Sequence, residues 1–81
     1  MFYIGIDIAK QFHQIAFLDD NGNVIVKPFV FQNSNQGFEK LLVAFTKYGI
    51  SKDDCVIAME ATGHYWFALY FFLVDLGFSV K

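Results

Sequence analysis

Phe2-Tyr3-Ile4-Gly5-Ile6-Asp7-Ile8-Ala9 opens the chain on a strict alternation. In an extended strand successive side chains point to opposite faces, so Phe2, Ile4, Ile6 and Ile8 share one face and Tyr3, Gly5, Asp7 and Ala9 the other. Asp7 is the odd member: a charge in an otherwise apolar strand, with Gly5 leaving room beside it on the same face. Phe12 to Asp19 reads as a second strand. Asp19-Asp20-Asn21-Gly22-Asn23 follows, and Asn-Gly readily takes the positive φ angles of a tight hairpin turn. Val24 to Gln32 is the returning strand, and Pro28, which lacks an N–H, puts that strand at a sheet edge.

Beyond the hairpin the period changes. Asn33 to Gly37 is a loop into a helix, with Phe38, Leu41, Leu42 and Phe45 at helical spacing. Ser34 or Asn35 is the expected cap, and Gly49 suits the helix end. Asp54 to Glu60 reads as a short buried strand. Thr62 then caps a second helix running to about Leu76, which Gly77 stops, and Phe78-Ser79-Val80-Lys81 begins another strand. The order β-β-β-α-β-α-β implies an α/β mixed sheet whose fourth strand is parallel to the first. No repeat, linker or low-complexity tract divides the chain. The last strand looks cut short, so the expectation is a natural chain that continues.

With 81 residues there is room for one domain. A domain this small buries only about 60–65% of the surface its unfolded chain exposes. Yet 56% of the residues are apolar and eleven are Phe, more than such a core easily hides. Self-association or a covering segment is therefore expected. The segment Tyr65 to Val74 is apolar on every side of its helix and is the expected homo-oligomer contact. It has about half the roughly 20 residues a membrane span needs. Asp7 and Lys10 interrupt the start, so no signal peptide is read there. Cys55 is a lone cysteine in an apolar run, which excludes an internal disulfide and fits a reducing cytoplasm. Net charge is −2, with six lysines and no arginine. Charge alone does not mark a nucleic-acid binder. Binding phosphates through metal ions held by carboxylates remains open, because the cations then supply the positive charge.

Two carboxylates stand out. Asp7 lies in the first strand, and Glu60 ends the fourth just before Ala61-Thr62-Gly63. Parallel neighbouring strands would bring both to the carboxyl edge of the sheet, where active sites of open α/β sheets lie. Two carboxylates at close range repel, and a cation between them relieves the repulsion. With oxygen ligands, Mg²⁺ or Mn²⁺ is the natural choice. Two such ions roughly 4 Å apart can clamp an in-line phosphoryl displacement. Asp19, Asp20, Asp53, Asp54 and Asp75 fall in turns or at a helix end, and none is an obvious third ligand.

Gly5-Ile6-Asp7-Ile8-Ala9-Lys10, then His13, then Asn33 with Gly37-Phe38, then Ala58-Met59-Glu60-Ala61-Thr62-Gly63-His64-Tyr65-Trp66, resembles the amino-terminal domain of the DEDD-type insertion-sequence transposases. The resemblance spans nearly the whole chain and is most specific around Glu60. It implies a ribonuclease-H-like fold similar to that of Holliday-junction resolvases, with residues 1–81 as the amino-terminal part of the catalytic domain. In that family four acidic residues bind divalent metal. Asp7 matches the first acid and Glu60 the second; the other two, and a domain with a nucleophilic serine, lie later in the family's chain. The family recombines DNA under the direction of a structured RNA, so DNA and a guide RNA are the implied partners. With two of four acids, the 81-residue chain is expected to be inactive alone and to hold its cation weakly.

Other residues carry secondary expectations. Lys10, Thr62, Gly63 and His64 could contact phosphate or substrate near the two acids, although Lys10 also reads as a solvated strand-end lysine and Thr62 as a cap. His13 reads as a packing or surface residue before a ligand. Trp66, Tyr70, Phe71 and Phe72 could stack on bases, but positions 66, 69, 70 and 73 share one helical face, which favours packing. Two other classes compete. One is an ATP-handling domain of the actin and sugar-kinase type, whose first strand also ends in Gly-x-Asp. It normally continues into a glycine-containing phosphate loop, where Ile8-Ala9-Lys10 stands here. The other is a non-catalytic interaction module, for which Asp7 and Glu60 would bind no metal.

Overall fold

A computed structural model describes residues 1–60 and 63–81. The strands are β1 (Phe2–Asp7), β2 (Phe12–Leu18), β3 (Val24–Gln32), β4 (Cys55–Glu60) and β5 (Ser79–Val80); the helices are α1 (Asn35–Lys47) and α2 (Phe67–Asp75). A single 3-10 turn, Lys52–Asp54, leads into β4. The sheet order is β3-β2-β1-β4-β5. β1 is antiparallel to β2 and parallel to β4, and β5 adds parallel to β4. The expected element order and the parallel pairing of the first and fourth strands are both present.

Alternation in the strands sorts the sheet into two unlike faces. Ile4, Ile6, Ile15, Phe17, Cys55 and Ile57 are buried and form one core with Phe38, Leu41 and Phe45 of α1 and Leu69 and Leu73 of α2. Phe38 meets Phe72, and Phe45 meets Phe78, with ring centroids 5.2 Å apart in both pairs. Both helices therefore lie over the same face, each fully buried large side chain contributing about 1.5–3 kcal/mol. Tyr3, Gly5 and Asp7 of β1, Gln14 of β2, and Ala58 and Glu60 of β4 are exposed on the opposite face.

Local chemistry explains the element ends. The Ser34 hydroxyl caps α1 by accepting from Gly37 N–H at 3.1 Å. At its other end Gly49, with φ of 69°, donates to Thr46 O and Ile50 to Phe45 O, a left-handed stop that pairs the last carbonyls. Gly77 ends α2 in the same manner, with Phe78 N–H on Leu73 O. Pro28 lies on the edge strand, at a break in the β2–β3 register between the Ile15–Phe29 and Phe17–Val26 pairs.

Two expectations need correction. In the hairpin only Gly22 takes a positive φ, 81°; Asn21 does not. The Asp19 carboxylate instead accepts from Asn21 and Asn23 N–H at 2.9 and 3.0 Å, building a longer loop around the aspartate. The second helix begins at Phe67 rather than beside Thr62, and Trp66 at its start gives no side-chain cap. The expected Thr62 cap lies outside the described residues. No helix among the described residues is long and apolar enough to cross a membrane.

Candidate active site

Asp7 and Glu60 are the last residues of β1 and β4 and are direct register partners. In parallel strands such partners point to the same side, and neighbouring strands lie about 4.8 Å apart. Both side chains are exposed on the open face, at the carboxyl ends of their strands. The backbone binds the two ends together, since Ile8 N–H donates to Glu60 O at 3.3 Å.

The antiparallel neighbour extends the row. Gln14 of β2 is the register partner of Asp7 on its other side. Two residues back along β1, Gly5 pairs with Ala16 on one side and Ala58 on the other. A polar row, Gln14-Asp7-Glu60, thus stands beside a floor of small residues, Ala16-Gly5-Ala58. A Cβ on Gly5 would meet nothing within 4 Å. These residues line an open cleft of about 410 Å³, with Pro28 at its rim. Gln14, Ala16 and Ala58 were missed in the sequence. Their positional parity within the strands matches that of Asp7, but only the register puts them beside it.

The remaining candidates divide. Lys10 is exposed just beyond Asp7, its backbone oxygen accepting from Asn33 Nδ2 at 3.1 Å. Gly63 has φ of 70° and open space where a Cβ would stand. His64 is exposed with its ring 4.8 Å from that of Tyr65, and no hydrogen bond joins it to Asp7 or Glu60 among the described residues. Thr62 lies outside the described residues. Trp66 is half-buried against the core, and the half-buried Tyr70 meets it edge to face with centroids 5.4 Å apart.

The other acids lie elsewhere. Asp19 is taken up by its turn, and Asp20 and Asp54 sit 3.5 and 3.4 Å from the Met1 amino group, near the opposite end of β1. Among the described residues no group of three or more His, Cys, Asp and Glu side chains converges as a metal cage would. Two carboxylates fit a hard cation that keeps waters and shares substrate phosphates, and do not fit an all-protein cage.

Among the described residues His13 is the one buried polar side chain, fully enclosed, with its ring 5.4 Å from Phe31. Burial pushes its pKa below the ordinary value, against a smaller upward pull from the Asn33 side chain. The Cys55 thiol is pushed up, by burial first and by the neighbouring Asp54 charge second.

A transposase family model, the DEDD type of the IS110 group, matches residues 4–81. No match was found among curated proteins. The five-stranded mixed sheet with its two helices is consistent with the ribonuclease-H-like fold of such a domain. A match over nearly the whole length decides the assignment: the chain belongs to the IS110-type DEDD transposase family.

Proposed function

We propose that this chain carries the first two carboxylates, Asp7 and Glu60, of a divalent-metal site that cleaves and transfers DNA strands in transposition. The observation that carries the reading is their parallel register at the carboxyl ends of adjacent strands, above an open cleft. Mg²⁺ or Mn²⁺ held there would polarise a phosphoryl oxygen and activate the attacking hydroxyl or water. The chain's own residues do the positioning. Asp7 and Glu60 would hold the cation through their carboxylate oxygens, and substrate phosphates would complete its ligands. The low floor of Gly5, Ala16 and Ala58 lets a sugar-phosphate strand approach the sheet without meeting a long side chain. Lys10, exposed three residues beyond Asp7, is a candidate phosphate contact, as are Gly63 and His64 after Glu60.

The charge balance supports a cation-led mode of binding. A chain of net charge −2 with no arginine attracts phosphate poorly by itself, so DNA should bind it through the metal more than through lysines. A structured guide RNA and DNA are the proposed partners of the complete protein, and the aromatic helix at 65–74 its proposed self-contact. With two of the family's four acids, residues 1–81 form the amino-terminal part of the catalytic domain and should not cut DNA alone.

The test is Mn²⁺ titration of the ¹⁵N-labelled chain, reading paramagnetic broadening. Broadening should centre on residues 5–8 and 58–60 at roughly millimolar metal, and disappear in Asp7→Asn and Glu60→Gln. Broadening centred elsewhere, or unchanged in both variants, would sink the proposed site. Metal-dependent DNA cleavage by the pure chain that Asp7→Ala abolishes would overturn the claim that it is inactive alone.

A further inference from the structure

The connection between Asp7 and β2 is four residues, Ile8 to Gln11, with no glycine and no tight-turn signature. It is held by a set of bonds from outside. Ala9 N–H donates to His13 Nδ1 at 3.2 Å. Asn33 Nδ2 donates to Lys10 O at 3.1 Å, and Asn33 N–H to Gln11 O at 2.8 Å. Ala9, Lys10 and Gln11 are thus tied by two residues, His13 of β2 and Asn33 just past β3: Ala9 and Lys10 through the His13 and Asn33 side chains, Gln11 through the Asn33 backbone N–H.

The tautomer follows from these bonds. Nδ1 accepts from Ala9, so the ring proton sits on Nε2. Nε2 is buried and makes no well-formed hydrogen bond; the same is true of Asn33 Oδ1. The Asn33 amide cannot be turned round, because its nitrogen already serves a carbonyl oxygen at Lys10. A buried donor and a buried acceptor are therefore left over on the two residues that hold the same turn, and buried polar groups are normally paired.

We propose that His13 and Asn33 are positioning residues: Nε2–H of His13 donates to Oδ1 of Asn33, directly or through one buried water, and the closed pair sets the backbone from Ala9 to Gln11 that fixes Asp7 at the cleft. Neither side chain touches metal or DNA. His13 packs on the helix-covered face, whereas Asp7 points to the other, so the pair acts only through the turn. The inference rests on the metal reading above for its functional consequence, but its geometry stands apart from it.

The experiment has two independent arms on the ¹⁵N-labelled chain. In the first, ring ¹⁵N shifts of the unmodified chain report the His13 tautomer, and amide exchange reports Ala9. A proton on Nε2 with a protected Ala9 amide is expected, and a proton on Nδ1 overturns the proposal with no variant needed. In the second, Asn33→Ala is compared with Phe31→Leu, which loosens packing around His13 but leaves the polar pair intact. Asn33→Ala should lower Mn²⁺ affinity about tenfold, the scale on which groups orienting a ligand act, and release the Ala9 amide. Phe31→Leu should change affinity less than about twofold even with an equal loss of melting temperature. Equal losses of affinity in both variants would mean general softening and overturn positioning. Asn33→Asp, which keeps Oδ1 but not the donor to Lys10, should fall between, and it substitutes if the alanine variant does not fold. If the unmodified chain binds no Mn²⁺ at all, the metal reading fails; the pair is then judged on exchange, supported by loss confined to residues 8–11 in Asn33→Ala and overturned by loss throughout the sheet.

Discussion

Replacing Gly37 with alanine sets two effects of opposite sign against each other. Gly37 is the third residue of α1, and on helix propensity alone alanine should stabilise by about 1 kcal/mol. The structure argues the reverse. An added Cβ would overlap the carbonyl oxygen of Gln32 and stand 2.6 and 2.8 Å from that residue's carbonyl carbon and amide nitrogen. All three are backbone atoms, so no rotamer change relieves the clash. The first turn of α1 must draw back from the end of β3, and the Gly37 N–H bond to the Ser34 hydroxyl goes with it. Loss of the cap costs about 1 kcal/mol, and forced overpacking beside Phe38 and Leu41 about 1–3 kcal/mol more. Set against the propensity gain, Gly37→Ala should destabilise by about 1–3 kcal/mol, a large share of the roughly 4–12 kcal/mol expected for a domain of this size. Urea unfolding followed by circular dichroism would show a lower midpoint with an unchanged slope. Gly5→Ala is the control, since its Cβ meets nothing within 4 Å, and it should keep its midpoint or raise it. A Gly37→Ala chain as stable as the parent would refute the close seating of α1 on Gln32.

Two further outcomes follow from the same packing. Because burial holds the His13 ring below its ordinary 6.5, the unfolded chain takes up that proton first. Its contribution is complete above about pH 6.5 and is lost as pH falls toward the folded value. Asp19, held down chiefly by the turn amide of Asn23, acts only in more acid solution, below its ordinary 3.8. The urea midpoint should therefore drop between about pH 7.5 and pH 5.5, and drop less in His13→Gln; an equal drop in both would assign the effect elsewhere. Phe67, Phe71, Val74 and Leu76, on or just past α2, are 47%, 53%, 39% and 42% exposed, and clustered exposed apolar side chains mark interaction sites. Sedimentation should find concentration-dependent association that Phe71→Glu abolishes, and a clean monomer at high micromolar concentration would rule out the aromatic helix as a self-contact.

The sequence by itself determined the elements whose signals are local. Alternation from Phe2 to Ala9 assigned the inward isoleucines and the outward Asp7 because the strand period is two and needs no partner to be read. A cap at Ser34 or Asn35, which the structure resolves as Ser34, and stops at Gly49 and Gly77 were legible for the same reason: each satisfies orphan backbone groups within a few residues of itself. The pairing of Asp7 with Glu60 was half legible. The strand order implied it, while the residue-for-residue register is a property of two strands together. The start of α2 was not legible. A segment apolar on all sides carries no periodic signal to mark where its first turn begins, and packing of Leu69 and Leu73 on the sheet settles it at Phe67. His13 is the clearest case of a tertiary decision. In the chain it is one polar residue among alternating apolar ones; only the closure of β3 over β2, with Phe31 beside its ring and Asn33 at the turn, buries it and leaves its proton one place to go.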